Sequence, residues 1–157
     1  MKIRLVLLAL AMLMPLAAPA RAAEEATPLA RWQKDHTEIL QATEVGLADV
    51  HWLARPVVVF ADSDADPRFQ QQMDLLMARL DDLALRDVVV ITDTNPATPS
   101  EWRTKLRPRG FMLVLIAKDG NVLFRKPFPW DVREISRSID KLPLREQEIR
   151  DRRDAAQ

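Results

Sequence analysis

The sequence predicts an α/β fold with a central mixed β-sheet, and three observations support this prediction. Two short apolar runs, residues 57–60 and 88–91, are rich in β-branched side chains and have the composition of strands buried on both faces. An amphipathic helical pattern from Phe69 to Leu83 separates them. A hairpin follows, with Asp-Gly at the centre of its turn at residues 118–121. Strands joined through a helix pair in parallel and hairpin strands pair antiparallel, so the predicted sheet is mixed.

An export signal is predicted at the N-terminus. Lys2 and Arg4 form a short positive region, an apolar run covers residues 5–20, and the small residues Ala20 and Ala22 follow at the spacing that a signal peptidase recognises. We place cleavage after Ala22, with cleavage after Ala20 as the alternative. The apolar run is shorter than the roughly 20 residues that span a bilayer, which favours a cleaved signal over an uncleaved anchor.

Composition limits the classes of partner. The chain has no cysteine, and the predicted signal contains Lys2, Arg4 and Arg21 but no acid, so the region from residue 23 onward is slightly acidic. With four Trp, five Phe and no Tyr, it lacks the basic, aromatic surface typical of nucleic-acid binding. We expect a soluble periplasmic or secreted protein that has no nucleic-acid partner, does not associate with the membrane after cleavage, and is stabilised by its core without disulfides.

Four regions are predicted along the chain. They are a signal peptide (1–22), an N-terminal helical extension (23–46), the core domain (47–143) and a charged C-terminal helix or tail (144–157). In the extension, Thr27 is predicted to cap a helix and Pro28 to occupy its first position. The inward face of this helix is predicted to consist of Leu29, Trp32, His36, Ile39 and Thr43.

The remaining elements complete the order of the core. Thr98 and Pro99 are predicted to begin a short helix, and Asp131 is predicted to cap the last core helix, which Pro143 ends. The order is then βαβ followed by αββα, which is the minimal core of a three-layer thioredoxin-like fold with a four-stranded mixed sheet and an extra N-terminal helix. Residues predicted to be buried are Val58, Phe60, Met73, Leu76, Val89 and Leu115.

An ordered set of motifs resembles the domain-of-unknown-function 4174 family over about residues 47–150. The motifs are Arg55-Pro56-Val57-Val58-Val59-Phe60-Ala61, Asp66-Pro67-Arg68, Arg86-Asp87-Val88-Val89-Val90, Lys118-Asp119-Gly120, Ile139-Asp140, Pro143 and Arg145-Glu146-Gln147-Glu148. The resemblance implies a thioredoxin-like or peroxiredoxin-like fold in an exported or extracellular protein. It implies no particular reaction, because the family has no settled activity.

The acidic loop, residues 62–66, follows the first buried strand, where thioredoxins carry Cys-x-x-Cys. Counting from Phe60 places Ala65 at the first cysteine and Arg68 at the second, and a shift of one residue places Asp66 at the first. None of these residues is a thiol, and Met112 stands where thioredoxins have a cis-proline. The sequence therefore excludes thiol exchange and thiol-dependent peroxide reduction.

Helix capping is the favoured interpretation of the acidic loop. Asp66 followed by Pro67 is typical of an N-cap and first helical position. Asp62, Asp64 and Asp66 also have the spacing of the first three ligands of a calcium loop, but Pro67 replaces the turn glycine and Met73 replaces the bidentate glutamate. We therefore predict no metal and no cofactor.

A basic stretch, Arg103, Lys105, Arg107 and Arg109, is predicted to face the acidic loop. The two loops should meet at one edge of the sheet, at the ends of adjacent parallel strands, with Arg109 within salt-bridge or water-bridge reach of an aspartate. Mutual neutralisation of exposed charges is the favoured interpretation, and an anion or peptide site is the alternative. The candidate binding residues are Asp62, Ser63, Asp64, Asp66, Arg68, Arg107 and Arg109.

Catalytic motifs are missing from the sequence. His36 and His51 are its only histidines and lie far apart, and three glycines in total do not form a phosphate-binding loop. The leading hypothesis is an exported, non-catalytic thioredoxin-like module that binds a periplasmic protein or peptide. The alternative is an enzyme or a divalent-metal-dependent activity that uses the acidic loop at the N-terminus of the first core helix.

Overall fold

A computed structural model of the protein describes residues 26–157, which form one mixed five-stranded sheet between two layers of helices. The strands are β1 (Ile39–Gln41), β2 (Arg55–Phe60), β3 (Val88–Asp93), β4 (Met112–Ile116) and β5 (Val122–Lys126). Their order in the sheet is β1-β3-β2-β4-β5. β1 and β2 run parallel to β3, whereas β4 runs antiparallel to β2 and β5 runs antiparallel to β4.

Helices cover both faces of the sheet. They are α1 (Pro28–Lys34), α2 (Leu47–Val50), α3 (Pro67–Met77), α4 (Leu80–Ala84), α5 (Glu101–Leu106), α6 (Val132–Asp140) and α7 (Pro143–Asp154). Apolar side chains of α3, α4 and α6 form the core on one face, and those of α1, α2 and α5 form the core on the other. Among residues 26–157, no helix combines the length and the apolar composition needed to cross a membrane.

Side chains of the central strand β2 point alternately to the two faces of the sheet, and each set belongs to a separate core. Val57 and Val59 of β2 point to the α3–α4–α6 face, whereas Val58 and Phe60 point to the α1–α2–α5 face, and all four are fully buried. A central strand covered by helices on both sides has to be apolar at every position, which explains its unbroken β-branched run. The predicted core residues Val58, Phe60, Met73, Leu76, Val89 and Leu115 are all buried, as the sequence indicated.

The predicted α/β, three-layer, thioredoxin-like architecture is confirmed, but the sheet has five strands instead of four. The extra strand comes from the N-terminal extension, which was predicted to be one helix. Thr27 does cap α1, with its Oγ1 accepting a hydrogen bond from the Ala30 amide at 3.2 Å, but the helix ends at Lys34. Ile39–Gln41 then pairs with the exposed edge of β3, because an extended segment can satisfy the free backbone groups of that edge.

Two helix boundaries also differ from the prediction. The long helix expected after Pro67 breaks at Arg79, whose backbone is not helical (φ −144°, ψ 37°), so that α4 is a separate helix. The helix expected to begin at Thr98 begins at Glu101, because Ser100 is the cap and accepts a hydrogen bond from the Arg103 amide at 3.0 Å. Asp131 caps α6 as predicted. The predicted signal peptide, residues 1–22, lies outside the described residues.

A buried ionic network attaches α7 to the sheet at the start of β2. The Arg55 side chain is fully buried and donates to both carboxylate oxygens of Glu148, at 3.2 and 2.9 Å, and to the Arg86 carbonyl at 2.9 Å. Lys118 Nζ lies 2.9 Å from Glu148 and 2.8 Å from Asp87. Because these partners come from β2, the β3 entry, the hairpin turn and α7, the network joins the charged C-terminal helix to the core.

Candidate functional site

The acidic loop and the basic loop, residues 107–111, meet at the C-terminal end of β2. Phe60, the last residue of β2, lies opposite Met112, the first residue of β4. The meeting of the two loops was predicted, but the reason given for it was wrong. β2 and β4 are antiparallel, so the end of one strand lies beside the beginning of the next, whereas parallel neighbours had been expected.

Arg68 connects the two loops. Its guanidinium lies over the Phe111 ring, 5.6 Å from the ring centroid. Gly110 adopts a left-handed backbone (φ +60°), and a Cβ at this position would lie 3.9 Å from both Arg68 Nη2 and Asp62 Oδ2. The basic loop therefore passes close to both ends of the acidic loop, and glycine meets the backbone requirement of this turn without strain.

Asp66 caps α3, as the capping interpretation predicted. Its Oδ1 accepts from the Arg68 amide at 2.8 Å, and its Oδ2 accepts from Arg68 Nη2 at 3.0 Å. The hydrogen bonds from the Arg68 side chain and amide lower the pKa of Asp66, and the same pairing raises the pKa of Arg68. Asp66 is consequently held as a carboxylate and is poorly suited to act as a general base.

Arg103 pairs with Asp62, a role that was not predicted. Its Nη1 lies 3.8 Å from Asp62 Oδ1, and its own side chain is only 11% exposed. Arg103 Nη2 donates to Asp93 Oδ1 at 2.8 Å and to the Ala61 carbonyl at 2.8 Å, and Ser100 Oγ donates to Asp93 Oδ2 at 2.5 Å. Arg103 thus links the ends of β2 and β3 through its mostly buried side chain.

Arg107 and Arg109 do not reach the acidic loop. Both are exposed, and neither forms an ion pair with another residue of the described range 26–157. Arg107 ends α5 in a left-handed conformation (φ 49°), from which the chain turns through Pro108. Among residues 26–157, Arg109 thus forms no direct salt bridge with an aspartate, and Arg103 is the arginine that pairs with Asp62. A water bridge from Arg109, which the prediction also allowed, stays a prediction.

The three aspartates of the acidic loop have separate local partners. Asp66 holds Arg68, Asp62 faces Arg103, and Asp64 is exposed, with its backbone carbonyl accepting from Gln70 Nε2 at 2.5 Å. Ser63 Oγ accepts from the Ala65 amide at 3.1 Å and serves the turn. Within the part of the chain that the structure describes, no three or more His, Cys, Asp or Glu side chains are grouped to hold a metal ion.

Comparison with known families identifies the domain. The family model described as Domain of unknown function (DUF4174) matches residues 46–148, which is well over half of the chain. The chain belongs to the DUF4174 family. This match confirms the resemblance seen in the ordered motifs, and it covers both loops of the site. No curated protein sequence matches this DUF4174 chain significantly.

Solved structures confirm the thioredoxin-like fold of this DUF4174 domain. The reduced 2-Cys peroxiredoxin of Plasmodium vivax superposes with a TM-score of 0.54 and 17% identity, covering 66% of this chain and 85% of that one. Thioredoxin peroxidase I of Plasmodium yoelii gives a TM-score of 0.48 and 20% identity, covering 66% and 81%. At 17% identity the Plasmodium vivax likeness establishes the fold alone, and the second superposition is too weak to support an argument. The DUF4174 domain described here has no cysteine with which to perform thiol chemistry.

Proposed function

We propose that this DUF4174 protein is an exported, non-catalytic thioredoxin-like module that binds a periplasmic protein or peptide through its acidic and basic loops. One observation carries the proposal. At the place where the fold can hold a reactive thiol, Asp62 and Asp66 are engaged by Arg103 and Arg68, and no nucleophile is activated. The surface presents charged side chains and holds no cysteine, so binding is assigned to it instead of thiol chemistry.

The basic loop indicates the chemistry of the partner. Arg107 and Arg109 of the loop, and Lys105 in the preceding helix α5, are exposed and have no ion-pair partner among residues 26–157. Two of the three neighbouring aspartates are already paired. The unpaired positive charge favours an acidic segment of a partner. Charge complementarity of this kind accelerates association and selects partners more than it raises affinity, so binding should weaken as salt increases.

Charge reversal with a matched control tests the proposal. The tagged, mature protein is used to capture partners from periplasmic extract, and each partner identified by mass spectrometry is then purified and titrated. Arg107→Glu/Arg109→Glu is compared with Arg150→Glu/Arg153→Glu, which changes the same number of exposed arginines on α7. We expect the loop variant to bind about tenfold or more weakly, with an unfolding free energy within about 0.5 kcal/mol of wild type.

Three other outcomes would contradict the proposal. Equal binding by wild type and the loop variant would exclude the basic loop, and equal weakening by the α7 control would indicate a non-specific charge effect. Loss of binding together with loss of stability would mean that the loops are structural. A divalent-metal activity at the acidic loop predicts a higher melting temperature in millimolar calcium, whereas we expect no shift.

Export is tested on the intact protein. A signal peptide removed after Ala22 predicts a mature chain that begins at Ala23, and cleavage after Ala20 predicts one that begins at Arg21. The measurement is the intact mass of the protein recovered from the periplasmic fraction of a bacterial host. Recovery of the full-length chain in the membrane fraction would favour an uncleaved anchor and contradict this part of the proposal.

A further inference from the structure

A polar surface cavity of about 280 Å³, widely open to solvent, lies between α4 and α6, away from the two loops. Arg86, which precedes β3, lies on its wall, so the cavity is closer to the start of β3 than to the end of β2 where the loops meet. Three further arginines, Arg79, Arg133 and Arg137, line it together with two aspartates and one serine. A cavity lined by four guanidinium groups is suited to negatively charged ligands.

Two of the four arginines are neutralised inside the cavity. Arg79 Nε lies 2.6 Å from Asp82 Oδ2. Arg86 forms a two-pronged pair with Asp140, at 2.9 and 2.7 Å, and its Nη1 also donates to the Asp82 carbonyl at 2.7 Å. These pairs fix the positions of Arg79 and Arg86, and they leave both aspartates occupied.

The other two arginines supply an excess of positive charge. Arg137 pairs with Glu134 at 2.8 Å, but the two side chains are 69% and 47% exposed, so solvent weakens the pair. Arg133 has no side-chain partner within the described residues. Even when Glu134 is included, the arginines around the cavity outnumber the acids by one.

Ser136 provides an independent indication of a ligand. It lines the same cavity, the residue is 8% exposed, and its buried Oγ has no hydrogen-bond partner. Ser138, on the same helix, donates to the Glu134 carbonyl at 2.9 Å, which is the usual way for a helical serine to be satisfied. Buried hydroxyl groups nearly always have hydrogen-bond partners. The unpaired Oγ of Ser136 could therefore donate a hydrogen bond to a ligand.

We propose that this cavity binds a small oxyanion of the phosphate or sulfate class. Arg133, Ser136 and Arg137 have the three- and four-residue spacing that places side chains on one face of a helix, so two guanidinium groups and one hydroxyl can converge on one anion. The Ser136 Oγ is buried in the observed rotamer, so binding requires rotation about the Cα–Cβ bond to turn the hydroxyl toward the cavity. The volume lies near the lower limit of small-molecule pockets, which favours an inorganic anion with water over a nucleotide.

Titration of the full mature chain with sodium phosphate and with sodium sulfate tests the site, with sodium chloride at equal ionic strength as the reference. We expect a saturable rise in melting temperature with the oxyanions only, because a ligand that binds the folded state stabilises it by mass action. Arg133→Ala and Ser136→Ala should each weaken oxyanion binding about tenfold, the loss expected for a charge-assisted hydrogen bond. Arg150→Ala on α7 is the matched control and should bind like wild type.

Ser136→Ala has a second readout that a general charge effect would not produce. In buffer without oxyanions it should melt at the wild-type temperature or slightly above, because it removes an unpaired buried hydroxyl. Equal titrations of wild type, Arg133→Ala and Ser136→Ala, or an equal response to chloride, would overturn the proposal. If Ser136→Ala does not fold, Arg133→Ala and Arg137→Ala decide the question, since both replace exposed side chains.

Discussion

Replacing Glu148 by Gln should destabilise the protein by about 2 kcal/mol at pH 7. Burial raises the pKa of Glu148, but hydrogen bonds and charge from Arg55 and Lys118 outweigh it and lower the pKa from 4.5 to about 2. At about 1.4 kcal/mol per pKa unit, this shift corresponds to an upper limit of about 3 kcal/mol. Lys118 keeps Asp87 in the variant, and Glu148 is partly exposed, so the expected loss is smaller than the limit.

Burial of Arg55 explains why Glu148→Gln should still cause a large loss of unfolding free energy. This guanidinium is fully buried, and in Glu148→Gln it would keep the Arg86 carbonyl and the more distant Asp87, at 3.9 Å, but lose its close carboxylate. A buried cation deprived of its anion is much more costly than the lost attraction alone. The amide of glutamine has nearly the shape of the carboxylate, so the experiment measures charge with little change in packing.

Urea unfolding measured as a function of pH is the decisive assay. A lowered acid pKa in the folded state means that the stabilisation is complete above pH 4.5 and is lost as the pH falls toward 2. The difference between wild type and Glu148→Gln should therefore be largest near pH 7 and disappear near pH 2. Glu146→Gln, an exposed neighbour on α7, should match wild type throughout. A loss below about 0.5 kcal/mol at pH 7, or a difference that persists at pH 2, would refute this reasoning.

Three further predictions concern the core, the loops and the chemistry. Phe60→Ala should cost about 3–5 kcal/mol in urea unfolding because the ring is fully buried, and a cost below about 1 kcal/mol would contradict the assigned core. Gly110→Ala should cost about 1–2 kcal/mol from its left-handed backbone alone, as a Cβ would have no close clash; an unchanged stability would show that this φ angle is wrong. The purified protein, which has no cysteine, should neither reduce insulin disulfides nor consume peroxide, and turnover in either assay would disprove the prediction.

The buried strands could be predicted from the sequence because their pattern has one physical interpretation. A four- to six-residue apolar run rich in valine fits a strand covered on both faces, and β2 and β3 have this composition. β1 could not be found in this way. Its first residue, Ile39, also fits the inward face of the preceding helical pattern. Only the exposed edge of β3, about 50 residues later in the chain, makes the extended conformation favourable.

The sequence predicts which two loops form the candidate site, but it does not predict which side chains form ion pairs there. Strand order alone brings the acidic and basic loops together, whereas the partner of Asp62 depends on where α5 begins. With Ser100 as cap, Arg103 lies in the first turn and reaches both Asp93 and Asp62. A cap at Thr98, as predicted, would have placed Arg103 two residues, about half a turn, further along the helix. The prediction for Arg109 came from the meeting of the two loops and did not consider Arg103 within α5.

The distribution of charge explains why the loops at the end of β2, and not the ionic network at its start, are proposed to bind a partner protein. At the start of β2, the buried Arg55 and the half-buried Lys118 both pair with Glu148, so these charges are already engaged within the fold. At the end of β2, Arg107 and Arg109 are exposed and unpaired within residues 26–157, so they contribute little to folding. Exposed, unpaired cations can be replaced with little effect on the fold. The identities of Arg107 and Arg109 can therefore be selected for partner binding.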